Sequence, residues 1–198
     1  MKKIAFVALL SACIATPALA DNTGKFYGAV DLGSVSFSNA TGGPTGTTAY
    51  PNPGAFRFAA GYNITPMFAV EAGYAMIGDS IINSNLGGGL TAQETLKSSS
   101  LSVAGVANYA INDTFGVFGK LGFANSKIDA TLTSNFGATG AASGSKTALT
   151  FGLGGQYNIN KQFAIRAQYE DFGKVKVGNG AGADVGLKMV SVGGVYNF

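Results

Sequence analysis

Eight stretches of this chain alternate apolar and polar residues with period two: approximately 25–37, 54–63, 67–77, 97–111, 114–126, 147–157, 162–172 and 187–198. Such alternation gives a strand one apolar face and one mixed face. Each stretch is close to the about 9–11 residues that a tilted strand needs to cross a bilayer, or a little longer. The last stretch is a clear case. Phe198, Tyr196, Gly194, Val192 and Val190 form one set, and Asn197, Val195, Gly193, Ser191 and Met189 the other. A strand that ends in water gains little from a terminal ring, whereas one that ends at a membrane interface seats the ring at headgroup depth.

The connections sort into two classes. Ile64-Thr65-Pro66, Asn112-Asp113 and Asn158 to Lys161 are short and carry the turn formers Pro, Asn and Asp. The other four, at about 38–53, 78–96, 127–146 and 173–186, are longer and rich in Gly, Ser, Thr and Asn. Strict alternation of short and long connections predicts an all-β fold: an eight-stranded antiparallel up-and-down transmembrane β-barrel with short periplasmic turns and four longer external loops. A soluble sandwich with Greek-key crossings is the alternative, but it has no reason to sort its loops in this way. Charged residues make up 12% of the chain, about half the usual share of a soluble domain. Beyond the N-terminal segment no apolar run reaches 18 residues, so the sequence offers no transmembrane helix.

At the N-terminus, Lys2 and Lys3 precede an apolar run over residues 4–14, and Pro17 precedes Ala18-Leu19-Ala20. This pattern predicts a signal peptide over 1–20, cleaved after Ala20, with the barrel over 21–198. Leu10-Ser11-Ala12-Cys13 also fits a lipoprotein cleavage box and leaves acylation of Cys13 as a competing reading. Cleavage after Ala20 removes the one cysteine, so the exported chain needs no disulfide. No cluster of Lys or Arg is present, which excludes a nucleic-acid footprint.

Aromatic residues gather at the strand ends near the short turns. Phe26, Tyr62, Phe68, Tyr109, Phe115, Tyr157, Phe163 and Phe198 give one ring per strand, each on the parity of its strand's apolar set. These eight form the expected periplasmic girdle. Phe56, Tyr74, Phe123 and Tyr169 make a sparser belt toward the other end. The opposite parity carries the mid-strand charges Asp31, Arg57, Glu71, Lys120, Arg166 and Glu170. A base on the lipid face near the midplane would cost about 2–4 kcal/mol, so these six are expected inside. Three acids and three bases predict a lumen charge network of zero net charge. An eight-stranded interior is just wide enough to be filled by side chains. Gly33, Gly61, Gly73, Gly116, Gly122, Gly152, Gly154 and Gly193 share that face. They either make room for long side chains or leave a path for water.

Three segments carry a family resemblance: Phe58-Ala59-Ala60-Gly61-Tyr62-Asn63 with Phe68-Ala69-Val70-Glu71-Ala72-Gly73-Tyr74, then Phe151-Gly152-Leu153-Gly154-Gly155-Gln156-Tyr157 with Ile165-Arg166-Ala167-Gln168-Tyr169, and the ending Val195-Tyr196-Asn197-Phe198. The chain resembles the eight-stranded outer-membrane barrels that include the OmpA transmembrane domain and small surface antigens. It lacks a counterpart of the OmpA periplasmic peptidoglycan-binding domain, so cell-wall anchoring is not implied. The resemblance implies export through the periplasm to the bacterial outer membrane, with contacts to membrane lipid and lipopolysaccharide. It also implies barrel-assembly machinery and periplasmic chaperones as partners during biogenesis. Val192, Tyr196 and Phe198 then stand as the C-terminal assembly signal.

Barrel enzymes acting on lipid lean on a histidine, a group that titrates near neutrality. This chain has none. Asp79, Glu94, Asp129, Asp171 and Asp184 are scattered and form no close acidic pair. GAASGSKT at 140–147 places its lysine one residue late for a phosphate loop, and is expected to be a flexible loop. Catalysis, a cofactor and a metal site are therefore not expected. The functional expectation is a filled, charge-paired barrel that supports the envelope and presents loops for adhesion or recognition. The alternative is a small porin-like channel for ions or small solutes.

Overall fold

The computed structural model describes residues 22–38, 41–42, 48–49, 51–177 and 183–198. The expected signal peptide, with Cys13, lies outside the described residues. Ten strands follow one another: β1 Phe26–Ser38, β2 Thr41–Gly42, β3 Thr48–Ala49, β4 Gly54–Asn63, β5 Phe68–Gly87, β6 Leu90–Ala110, β7 Phe115–Ser134, β8 Thr139–Asn158, β9 Phe163–Val177 and β10 Ala183–Asn197. Eight close into an antiparallel barrel in the order β1-β10-β9-β8-β7-β6-β5-β4, and β4 pairs back onto β1. The short β2–β3 ribbon sits in the first long connection. Closure leaves no free edge within the barrel wall, so every backbone polar group there has a partner strand.

The alternation seen in the sequence becomes the two faces of the wall. In β5, Ala69, Glu71, Gly73, Ala75 and Ile77 are buried, whereas Phe68, Val70, Ala72, Tyr74 and Met76 face outward. The three short turns share one construction. The side-chain oxygens of Thr65, Asn112 and Asn160 each accept two backbone N–H groups, from residues two and three further on. In each, the N–H of the preceding isoleucine (Ile64, Ile111, Ile159) donates to the carbonyl of the next strand's first phenylalanine. Turn and ring position are thereby fixed together.

Two expected external loops are corrected by the structure. Much of 78–96 and of 127–146 is strand: β5 continues to Gly87, β6 starts at Leu90, β7 continues to Ser134 and β8 starts at Thr139. The GAASGSKT segment lies within β8 and is not a loop. Cross-strand pairing holds these extensions, from Ser80↔Leu96 to Gly87↔Leu90, from Ala92↔Ser134 downward, and from Thr133↔Thr139 downward. The fourth connection is also trimmed, because Val177 pairs with Ala183.

β5 to β8 thus rise as a four-stranded sheet beyond the barrel. Pairing of β4 with β5 stops at Ala55↔Ile77, and pairing of β8 with β9 stops at Phe151↔Asp171. At the second of these limits Gly173 takes a φ of 80°, and a Cβ there would run into Ala148. The Asp171 carboxylate accepts the Gly173 N–H and sets this bend. On the other side the first loop is stapled down, since Ser80 Oγ donates to the Pro51 carbonyl at 2.6 Å and Val35 N–H to that of Pro53 at 3.0 Å.

The interior has three layers. Nearest the short turns, Tyr27, Ala29, Ala59, Ala69, Val106, Phe118, Ala164 and Val195 pack together. Polar and charged side chains fill the middle. Above them a second apolar cluster includes Val35, Ile77, Leu96, Ile128, Phe172, Val175, Leu187 and Met189.

Candidate functional site in the lumen

The six charges singled out in the sequence come from β1, β4, β5, β7 and β9, and all six are buried. They meet in one cluster. Asp31 on β1 lies directly across from Arg57 on β4, 3.2 Å from carboxylate to guanidinium. Arg166 grips Asp31 with two N–H groups, Nε at 2.8 Å and Nη2 at 2.6 Å, a fork geometry suited to a carboxylate. Glu71 is the centre. Its Oε1 accepts from Arg57 at 2.8 Å and from Lys120 at 2.6 Å, and its Oε2 from Arg166 at 2.8 Å and from the Tyr27 hydroxyl at 2.9 Å. Glu170 is the most weakly held acid: its Oε2 faces Arg57 Nε at 3.3 Å without hydrogen-bond geometry. Buried charges persist only when paired in this way, and removing one partner typically costs about 3–5 kcal/mol.

Small residues make the space. A Cβ on Gly73 would overlap the Arg57 guanidinium, one on Gly61 the Tyr27 ring, and one on Gly154 the Phe118 ring. The glycines opposite the long side chains therefore fill a steric role and do not open a path.

Gln168, inward on the same parity as Arg166 and Glu170, links Lys120, Asp31 and Ser191. Two participants were absent from the set read in the sequence: Tyr27 hydrogen-bonds Glu71, and the Phe118 ring lies 5.2 Å from the Lys120 ammonium. Both share the parity of the neighbouring lumen charge, which is the signal that would have found them. The outer apolar layer follows the same parity: Phe172 comes two residues after Glu170 and Met189 two before Ser191.

On the outside, Phe26, Tyr62, Phe68, Tyr109, Phe115, Tyr157, Phe163 and Phe198 are all exposed. Phe26 packs at a tilt against Tyr62 at 4.9 Å, Phe115 against Tyr157 at 5.0 Å, and Phe163 against Tyr196 at 5.0 Å. Tyr196 also meets Phe198 edge-on at 5.0 Å, and the Phe198 N–H donates to the Phe26 carbonyl. The chain end thus joins β10 to β1 at the barrel seam. Val192 faces outward higher on the same strand.

The model of the outer membrane protein beta-barrel domain family matches residues 5–198. The chain belongs to this family. Among solved structures, it is similar to the attachment invasion locus protein Ail of Yersinia pestis, crystallised with the heparin analogue sucrose octasulfate: 21% identity, TM-score 0.59, covering 89% of this chain and 99% of that one. It is also similar to Neisserial surface protein A, at 15% identity and TM-score 0.57 over 87% of this chain and 97% of that one. OprG of Pseudomonas aeruginosa matches at 11% identity and TM-score 0.52 over 89% and 96%. Among curated protein sequences nothing matches. The protein is accordingly a bacterial outer-membrane barrel, with its outward apolar face toward membrane lipid and its short turns on the periplasmic side.

Proposed function

We propose that this protein is a non-enzymatic barrel whose lumen is a solid support and whose work is done by the sheet that β5 to β8 raise outside the membrane. One observation carries the reading: an apolar layer of Phe172, Leu187, Met189, Ile128 and Val35 caps a charge cluster of zero formal net charge. A continuous ion path would have to cross both. With the lumen filled, the outer sheet is left as the surface for adhesion or recognition, rigid where it is paired and open at both edges. Ail was crystallised with a heparin analogue. Here Lys97 and Lys127 on the outer sheet are matched by Asp79 at 3.4 Å and Asp129 at 3.1 Å, so that face offers no uncompensated pair of bases to a polyanion.

A small porin-like channel is the second reading, favoured by a cavity that enters the barrel from the periplasmic end. Planar-bilayer recording of the refolded protein separates the two. Silence is expected; a steady conductance that changes in Arg166→Ala would overturn the filled lumen.

The proposed biogenesis partners are periplasmic chaperones and the barrel-assembly machinery, with Val192, Tyr196 and Phe198 as the recognised tail and lipopolysaccharide around the outer belt. Deleting Phe198 should leave export across the inner membrane intact and lower the amount of heat-modifiable barrel in outer-membrane fractions. Unchanged barrel levels would remove the tail from this role.

A further inference from the structure

Below the charge cluster the apolar layer that includes Tyr27, Val106, Phe118 and Val195 lines a recess on the periplasmic side. A cavity of 540 Å³ enters between the short turns and ends on Tyr27, Glu71, Lys120 and Arg166. Its volume is that of a small-molecule site. At this floor two cations meet one carboxylate, while Asp31, Arg57 and Glu170 stand behind it and do not line the space.

The unused hydrogen-bonding capacity at the floor is of one kind. Glu71 already accepts four hydrogen bonds, two on each oxygen. Lys120 spends two of its three N–H groups, on Glu71 and Gln168. Arg166 spends three of its five, on Asp31 and Glu71. At the floor an incoming cation finds no free carboxylate oxygen, since the other carboxylate of the lining, Asp113, stands with Lys161 among the short turns at the mouth, whereas an incoming anion finds N–H donors on two cations held in place. The walls add the carboxamides of Asn108 and Gln156, which suit a polar guest.

We infer that this cup is a binding site for a small oxyanion, a carboxylate or phosphate group, that arrives from the periplasm. The site is separate from the outer sheet, and either could fail alone.

The test uses the isotope-labelled protein refolded into lipid nanodiscs, both of whose faces meet buffer. Succinate, inorganic phosphate, methylammonium and glycerol are titrated while the amides of Val106, Phe118 and Gln156 are followed by NMR. A saturable shift with succinate or phosphate, and none with methylammonium or glycerol, is expected. Saturation by only one of the two anions identifies which group the cup takes. Lys120→Gln leaves Glu71 held by Arg57, Arg166 and Tyr27, and should weaken binding about tenfold, the loss of one charge-assisted contact. Gln156→Trp fills the cup without touching a charge and should abolish the shift. No saturable response to either anion, an equal response to methylammonium, or unchanged affinity in both variants would overturn the site.

Discussion

The same four strands, β5 to β8, build two kinds of sheet. Within the membrane each has a hydrogen-bonded neighbour on both sides, and its inward side chains are buried against the rest of the barrel. Outside it, β5 and β8 each lose one neighbour, and both sheet faces carry small polar residues such as Ser84, Thr91, Thr131 and Ser143. Ion pairs occur in both places with different weight. Lys97–Asp79 and Lys127–Asp129 are exposed, and such pairs contribute about 0–1 kcal/mol. Arg166–Asp31 is sealed from water, where loss of one member leaves a buried charge under-compensated. Stability therefore resides in the closed part, and the outer sheet is free to vary its side chains with little effect on folding.

The largest effect should come from inside. Arg166→Ala removes the two-pronged grip on Asp31, leaving it only the longer contacts from Arg57 and Gln168, and leaves Glu71 one partner short. It should lower unfolding free energy by about 3–5 kcal/mol, read from urea titration in lipid vesicles. A matched pair of substitutions sharpens the contrast. Leu153→Arg puts a base on the lipid face and should cost about 2–4 kcal/mol, whereas Thr131→Arg on the outer sheet should fall within about 0.5 kcal/mol of the parent. Equal costs would erase the distinction between the two regions. The most local effect belongs to the tips. The Asn135 side chain ties the two hairpins together, accepting from Thr91 N–H at 2.9 Å and donating to the Gly89 carbonyl at 2.7 Å. Asn135→Ala should speed hydrogen exchange at the Thr91 amide about tenfold, a local loss of about 1.4 kcal/mol, with no shift in global unfolding.

The barrel was legible because burial writes a period of two into every membrane strand. Phe68, Val70, Ala72, Tyr74 and Met76 can only be one face of a strand, and Glu71 inside that run can only be on the other. The lumen charges followed from the same parity. The strand extensions were not legible, because beyond Ile82, Leu96 and Ile128 neither of their faces is fully buried. A segment such as Gly140-Ala141-Ala142-Ser143-Gly144 then has no reason to alternate, and backbone pairing with 128–132 carries it. Ion-pair partners were hidden for another reason. Lys120 and Glu71 are 49 residues apart and meet across the lumen, a distance that no local pattern encodes. Tyr27 shares the odd parity of Asp31 and so faces inward, but its partner Glu71 is 44 residues away and no local pattern marks the pair.

Glu71 sits on β5, the third of the eight barrel strands in chain order, yet its four donors come from β1, β4, β7 and β9. Two of those strands precede it in the chain and two follow. A half-built sheet that has reached β6 holds this carboxylate with Arg57 and Tyr27 alone; Lys120 and Arg166 arrive only as the wall curls round. The incentive to close is thus deferred to the last steps of assembly. A barrel made this way has little to gain from stopping early, and truncation before β9 should leave an open sheet with no stable resting form.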